Sequence, residues 1–82
     1  MKRKPISKEE KQYLKKLGNR LKEYRIKAGY TSSEYFAYDF DISRTQYGKY
    51  EAGGNIQFNT LVKILKGLGV SFEEFFEGFD KQ

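Results

Sequence analysis

The stretch that decides the fold runs from Ser33 to Ala52 and reads SEYFAYDFDISRTQYGKYEA. Its apolar residues recur at helical spacing on both sides of a break at Asp41, which predicts two short helices joined by a tight turn. The first helix turns Phe36 and Ala37 inward, and the second helix turns Tyr47 and Tyr50 inward. Phe40 and Ile42 flank the break. The outward positions of the second helix carry polar or small residues.

The second helix is expected to begin near Arg44, because Ser43 and Gln46 have the spacing of a capping box. Its first turn offers side chains that hydrogen-bond at base edges, and its free NH groups attract phosphate. Gly48 costs about 1 kcal/mol relative to alanine inside a helix, so its bare surface indicates a close approach by another molecule. The predicted DNA base contacts are Arg44, Thr45, Gln46 and Lys49, and Ser43 and Gly48 are predicted backbone contacts.

This segment resembles the helix-turn-helix of the Cro/CI-like (XRE-type) DNA-binding family. The positions that match the family pattern are Ala37, Ile42, Ser43, Arg44, Tyr47, Tyr50, Glu51 and Gly53. The similarity continues in Leu17 to Gly29, which resembles the family's first helix, and in Asn59 to Phe76, which resembles its fourth and fifth. The resemblance implies an all-α, five-helix, lambda-repressor-like domain that binds double-stranded DNA and regulates transcription.

Three features depart from the family pattern. Asp41 stands where the family has a turn glycine, but aspartate tolerates the left-handed conformation better than most residues. The stretch between Gly29 and Ala37 is one residue longer than usual, which leaves open whether Ser32 or Ser33 contacts a phosphate. Aromatic residues replace aliphatic ones at several inward positions, so the core is expected to be bulky.

The resemblance also implies further roles. An arginine in the position of Arg25 pairs in the family with a glutamate at the position of Glu51, and the alternative is an exposed arginine. The loop after the recognition helix follows the DNA backbone in the family, which makes Asn55 and Gln57 candidate phosphate contacts. Ordinary turn chemistry explains these two residues equally well. The helix before the turn carries two tyrosines, Tyr35 and Tyr38. Each either hydrogen-bonds a phosphate or packs its ring on the domain surface.

Composition limits the class of protein. Eighty-two residues make one domain, and the absence of cysteine and histidine leaves no disulfide and no zinc or iron site. No cofactor is expected, and no arrangement of residues supports catalysis. No apolar run approaches membrane-spanning length and no signal segment follows the basic start, so a cytoplasmic protein is expected.

Charge is concentrated at one end of the chain. The net charge is +5 overall, with eleven Lys or Arg against three acids in residues 1–27 and five against eight in residues 28–82. This distribution favours a polyanionic partner, although a solvated helix face is the alternative. Residues 1–6 are expected to form a flexible basic arm, either solubilising or in contact with DNA, ahead of a domain spanning residues 7–79.

Capping boxes mark the other helix starts. Ser7 with Glu10, Thr31 with Glu34 and Ser71 with Glu74 have the required spacing. Gly29 and Gly69 are expected to end the first and fourth helices. The apolar face of the fourth helix is predicted to comprise Phe58, Leu61, Ile64, Leu65 and Leu68.

The C-terminal segment suggests an assembly. Its four phenylalanines exceed what one short helix hides in a small domain, so a homodimer is expected. Two recognition helices would then lie roughly 34 Å apart. The candidate dimer contacts are Phe72, Phe76 and Phe79, and a monomer with Phe79 folded back is the alternative.

Two other classes compete with a regulator. One is an antitoxin whose main partner is a toxin protein. The other is a helical protein-interaction module without DNA binding, for which the acidic Asp39 and Asp41 are the best support.

Overall fold

A computed structural model describes residues 5–81, and these residues fold into five α-helices and a final turn of 3₁₀ helix. No strand occurs among them, which confirms the predicted all-α, five-helix class. Most of the predicted basic arm, residues 1–4, lies outside the described residues. The elements are α1 (Lys8–Lys27), α2 (Ser33–Asp39), α3 (Arg44–Glu51), α4 (Phe58–Leu68), α5 (Phe72–Phe75) and the 3₁₀ turn (Phe79–Lys81).

Most helix ends follow the local signals. The Ser7 hydroxyl accepts a hydrogen bond from the Glu10 NH at 3.1 Å, and the Ser7 NH donates to the Glu10 carboxylate at 2.8 Å, which completes the first capping box. Gly69 ends α4 in the left-handed conformation with φ of +71°. Ser71 caps α5 by accepting from the Glu74 NH at 3.0 Å.

Three local predictions need correction. Thr31 does not cap α2; Ser32 does, accepting from the Tyr35 NH at 3.2 Å, because the extended backbone that a cap requires falls at Ser32. The Ser43 hydroxyl accepts from the Gln46 NH, but residues 5–81 show no return bond from the Gln46 side chain. Phe58 is 69% exposed rather than buried on the apolar face of α4.

The core is aromatic, as the sequence predicts. The Phe36 ring meets the Phe40 ring edge-on at 4.3 Å between centroids and lies 4.9 Å from the Tyr47 ring. Such pairs add to the stabilisation from burial alone. The buried core residues are Leu21, Phe36, Ala37, Tyr47, Tyr50, Leu61, Ile64, Leu65 and Phe75.

Helix α1 crosses the C-terminal end of α3 at Gly18. A Cβ at this position would lie 2.5 Å from the Tyr50 carbonyl oxygen and 2.6 Å from that of Glu51. Glycine therefore allows the two helices to approach more closely than any side chain would. The crossing fixes the end of α3 against the longest helix of the domain.

Arg20 attaches the C-terminal segment to α1, a role that the sequence analysis missed. Its side chain is buried, and Nη1 donates to the carbonyl oxygens of Phe75 at 2.6 Å and Glu77 at 2.8 Å. The guanidinium also lies 5.4 Å from the centroid of the Phe79 ring. Its position was the available signal, because residue 20 falls within the apolar stripe between Leu17 and Tyr24.

Candidate nucleic-acid interface

Helix α3 presents a polar face to solvent because two tyrosines hold its other face in the core. Tyr47 is fully buried and Tyr50 is 7% exposed. At 3.6 residues per turn, the positions opposite these rings are those of Thr45, Gly48 and Lys49. Arg44 and Gln46 lie at the two edges of this face, and all five of these residues are exposed.

The turn between α2 and α3 is held in one conformation. Asp41 has a φ of +56°, which places it in the left-handed region predicted for it. The Ile42 NH donates to the Ala37 carbonyl at 2.8 Å, which closes the turn. Lys63 of α4 donates to the Asp41 carbonyl at 2.9 Å, a contact that the sequence pattern does not predict.

Arg25 and Glu51 form a buried ion pair at the end of α3. The Arg25 Nε lies 2.7 Å from one Glu51 oxygen and Nη2 lies 3.2 Å from the other, while Nη1 donates to the Tyr30 carbonyl at 2.7 Å. The Arg25 side chain is 5% exposed and that of Glu51 is 11% exposed. The hydrogen bond to Glu51 raises the pKa of Arg25 above its ordinary value. One guanidinium thus connects α1, the turn that precedes α2 and the end of α3.

The candidate backbone contacts occur mostly at helix starts. Ser32 and Ser43 are the exposed N-caps of α2 and α3, and Ser33 is the half-buried first residue of α2. Among the residues that the structure describes, none outside the backbone of α3 places an atom within 4 Å of a Cβ built on Gly48, so its surface is open. Asn55 and Gln57 are exposed in the loop after α3, and Gln57 is the N-cap of α4.

These residues form two neighbouring groups rather than one cluster. Ser32 and Arg44 line a single open hollow between the starts of α2 and α3. Asn55 lines another hollow, together with Ile6 and the first turns of α1. The candidate surface therefore extends from α2 across α3 to the loop that follows it.

Two tyrosines belong to this surface and were left undecided by the sequence. Tyr35 is 65% exposed and Tyr38 is 78% exposed, so neither ring packs on the body of the domain. Both line the hollow that contains Arg44. Their exposure could have been predicted from the sequence, because they are three residues apart on the side of α2 opposite Phe36 and Ala37.

Two other kinds of site are absent from residues 5–81. No helix in this range combines the length and apolarity needed to cross a bilayer. The same residues contain no group of three or more side chains that could hold a metal ion.

Sequence similarity to known proteins supports a nucleic-acid interface on this surface. The sequence pattern of a family described as helix-turn-helix matches residues 21–75. The chain is also 37% identical over 68 residues to the control protein C.MunI of Mycoplasma sp, an alignment that covers 82% of this chain and 92% of that protein. No solved structure matches the chain. The chain therefore belongs to the Cro/CI-like (XRE-type) helix-turn-helix family of DNA-binding transcriptional regulators.

Proposed function

We propose that the protein controls transcription by placing α3 in the major groove of a specific operator. The observation that carries this proposal is the exposed polar face of α3, held outward by the buried Tyr47 and Tyr50. An α-helix fits the major groove, where each base pair presents a distinct pattern of donors and acceptors. The similarity to a protein named a control protein supports the same role.

The base contacts are assigned to the side chains of that face. Arg44, in the first turn, can donate two parallel hydrogen bonds to a guanine, which is worth about 1–3 kcal/mol of discrimination. Lys49 lies about one turn further along and donates to guanine or to a phosphate. Thr45 and Gln46 flank Arg44 and can donate and accept, and the open surface at Gly48 lets the backbone of α3 approach the groove floor.

The contacts to the DNA backbone are assigned to polar groups around α3, all of them exposed except the half-buried Ser33. The hydroxyls of Ser32, Ser33 and Ser43 and the side chains of Asn55 and Gln57 can donate to phosphate oxygens. These contacts position α3 and carry no sequence information themselves. The Arg25–Glu51 pair keeps the angle of α3 constant while they form.

A homodimer is proposed as the DNA-binding form. We define the aromatic patch as Phe58, Phe72 and Phe76, whose rings stack in sequence at centroid distances of 5.4 and 6.2 Å. The Phe79 ring meets the Phe76 ring edge-on at 5.2 Å and also stacks on Tyr13 of α1 at 6.2 Å, so it lies between the patch and α1. Burial of the patch against a second copy would remove exposed apolar surface and pair two recognition helices. With DNA as its partner, the protein would act in the cytoplasm.

The test begins with selection of bound duplexes from a random pool, followed by affinity measurements on the selected sequence and a scrambled one. Arg44→Ala is expected to reduce the preference for the selected sequence by roughly 5- to 150-fold, equivalent to the discrimination of one bidentate pair. Lys66→Ala is the control, because Lys66 is exposed on α4 outside the proposed surface. Equal weakening of both duplexes by Arg44→Ala would assign Arg44 to a phosphate instead.

A second outcome distinguishes the competing functions. If the wild-type protein selects no duplex, even at low salt, the DNA-binding proposal fails. A role in binding another protein, such as a toxin, then takes its place. The structure already accounts for one acidic residue that favoured this alternative, because the Asp39 carboxylate accepts a 2.7 Å hydrogen bond from the Tyr30 hydroxyl.

A further inference from the structure

Helix α1 carries three lysines on one face of its N-terminal half. Lys8, Lys11 and Lys15 are spaced by three and four residues, so they lie above one another along the helix, and all three are exposed. We call them the lysine stripe. The one ion pair within residues 5–81 joins Arg25 to Glu51, so none of the three lysines is paired with an acidic side chain in this range.

The stripe is unfavourable for the isolated helix. Lys8 and Lys11 lie in the first turns of α1, where the helix dipole favours negative charge. Like charges three and four residues apart also repel each other. Neither the helix dipole nor their mutual spacing accounts for these lysines, which points to a partner outside the chain.

The stripe adjoins the loop that follows the recognition helix. A Cβ at Gly53 would lie 3.5 Å from the Lys15 Cα, so α1 and the start of this loop are in contact. Between Lys8 and Lys15 on α1, Glu10 and Leu14 line the hollow that contains Asn55. The N-terminal half of α1 therefore runs along the outer edge of the proposed DNA-binding surface.

We propose that the lysine stripe binds DNA phosphates that flank the segment read by α3. This inference rests on the proposed function and extends its surface to residues ahead of the family match, which begins at residue 21. Seven residues of helix rise about 10 Å, the axial length of about three phosphates on one strand at 3.4 Å each. Three ammonium groups over that distance match the charge spacing of a duplex.

The test compares two double variants that remove the same charge. Lys11→Gln with Lys15→Gln changes the stripe, and Lys27→Gln with Lys66→Gln changes exposed lysines at the far end of α1 and on α4. Affinity for a duplex of about 40 base pairs that contains the selected sequence is measured by fluorescence anisotropy over a series of salt concentrations. The slope of log K against log salt is negative, and the stripe variant should reduce its magnitude by about 1.8, or 0.9 for each lost phosphate contact. The control should leave the slope near the wild-type value.

Two further readouts separate this inference from its alternatives. On a duplex trimmed to the recognised base pairs, the difference between the wild type and the stripe variant should largely disappear. The melting temperature of the stripe variant should equal or exceed that of the wild type, because like charges are removed from the start of a helix. Equal slopes for the two double variants would overturn the inference while leaving the proposed function standing. If the wild-type protein binds no duplex, both this inference and the proposed function are wrong.

Discussion

At the scale of single residues, the orientation of the recognition helix depends on one buried guanidinium. Arg25 bonds to the side chain of Glu51 and to the carbonyl of Tyr30, so all three of its nitrogens are used. Because this pair is nearly removed from water, it is screened much less by salt than an exposed pair. The main effect of the pair is to fix the orientation of α3 relative to α1. Loss of either partner leaves the other as a buried charge without compensation.

We predict that Glu51→Gln lowers the free energy of unfolding by about 3 kcal/mol, because Arg25 stays buried while its charge partner is lost. Urea denaturation followed by circular dichroism measures this change. Glu23→Gln on the exposed side of α1 is the control and should shift the value by less than about 0.5 kcal/mol. An unchanged denaturation midpoint for Glu51→Gln would show that the pair does not stabilise the fold.

Tyr47 supplies a prediction at alkaline pH. Its hydroxyl is buried beside Glu51 and Arg25, and no group within residues 5–81 forms a hydrogen bond of suitable geometry with it. Burial raises the pKa of Tyr47 above its ordinary value, and the neighbouring Glu51 raises this pKa further by a smaller amount. The unfolded phenol therefore ionises first, near pH 10, so the stability that Tyr47 contributes is present below pH 10 and declines above it.

Tyr47→Phe should raise the free energy of unfolding at pH 7 by about 1 kcal/mol, because an unsatisfied buried hydroxyl is removed. The variant should also lose less stability than the wild type between pH 9 and pH 11. Urea titrations at these pH values measure both effects. A variant that is less stable at pH 7 would show that the hydroxyl has a partner in solution.

At the scale of helices, two glycines with opposite surroundings shape the recognition element. Gly18 lies at the crossing of α1 and α3, where a Cβ would contact backbone carbonyls. Gly48 lies on α3 with open space around it. One glycine is required by packing inside the molecule, and the other lies in the surface proposed to meet DNA.

We predict that Gly18→Ala destabilises the domain by about 1–3 kcal/mol, because the backbone of α1 or α3 must shift to admit the methyl group. The better helix propensity of alanine, worth about 1 kcal/mol, offsets only part of this cost. Thermal unfolding measures the result. A melting temperature at or above the wild-type value would mean that the two helices separate without penalty.

Gly48→Ala should have the opposite effect on stability. With no neighbour to displace, alanine should raise the free energy of unfolding by about 0.5–1 kcal/mol. The same change should weaken binding to the selected duplex if the backbone of α3 approaches DNA closely. Tighter or unchanged binding by this more stable variant would argue against close approach at this position.

Most elements could be predicted from the sequence because their signals are local. Caps at Ser7, Ser43 and Ser71 and the helical period of Tyr47 and Tyr50 need only neighbouring residues, and they sufficed to define the outer face of α3. The position of Arg20 in the apolar stripe of α1 indicates burial, but the acceptors of Arg20 and Lys63 could not be predicted because both are backbone carbonyls more than 20 residues away. A carbonyl acceptor leaves no trace in the residue type of the partner.

At the scale of the whole molecule, the proposed assembly depends on a surface that the sequence located only in part. Phe58 was expected in the core and is instead the most exposed member of the aromatic patch. Its ring continues the stack of Phe72 and Phe76 from α4, so the patch spans two helices. Such a surface is larger than the short α5 alone would provide.

We predict that Phe58→Ser converts the protein from a dimer to a monomer at micromolar concentration and leaves the melting temperature of the monomer nearly unchanged, since the side chain is already exposed. Sedimentation velocity measures the mass. Tyr38→Ser is the control, because Tyr38 is an aromatic residue of similar exposure on α2. A wild-type protein that sediments as a monomer would remove this assembly from the proposal.

The attachment made by Arg20 has an evolutionary consequence. Because Nη1 bonds to main-chain oxygens, any residue at positions 75 and 77 can supply the acceptors. The outward side chains of the last segment can therefore be exchanged during divergence without releasing that segment from the body. Paralogues that share one anchoring arginine could in this way acquire separate pairing preferences, so that related regulators in one cell avoid forming mixed assemblies.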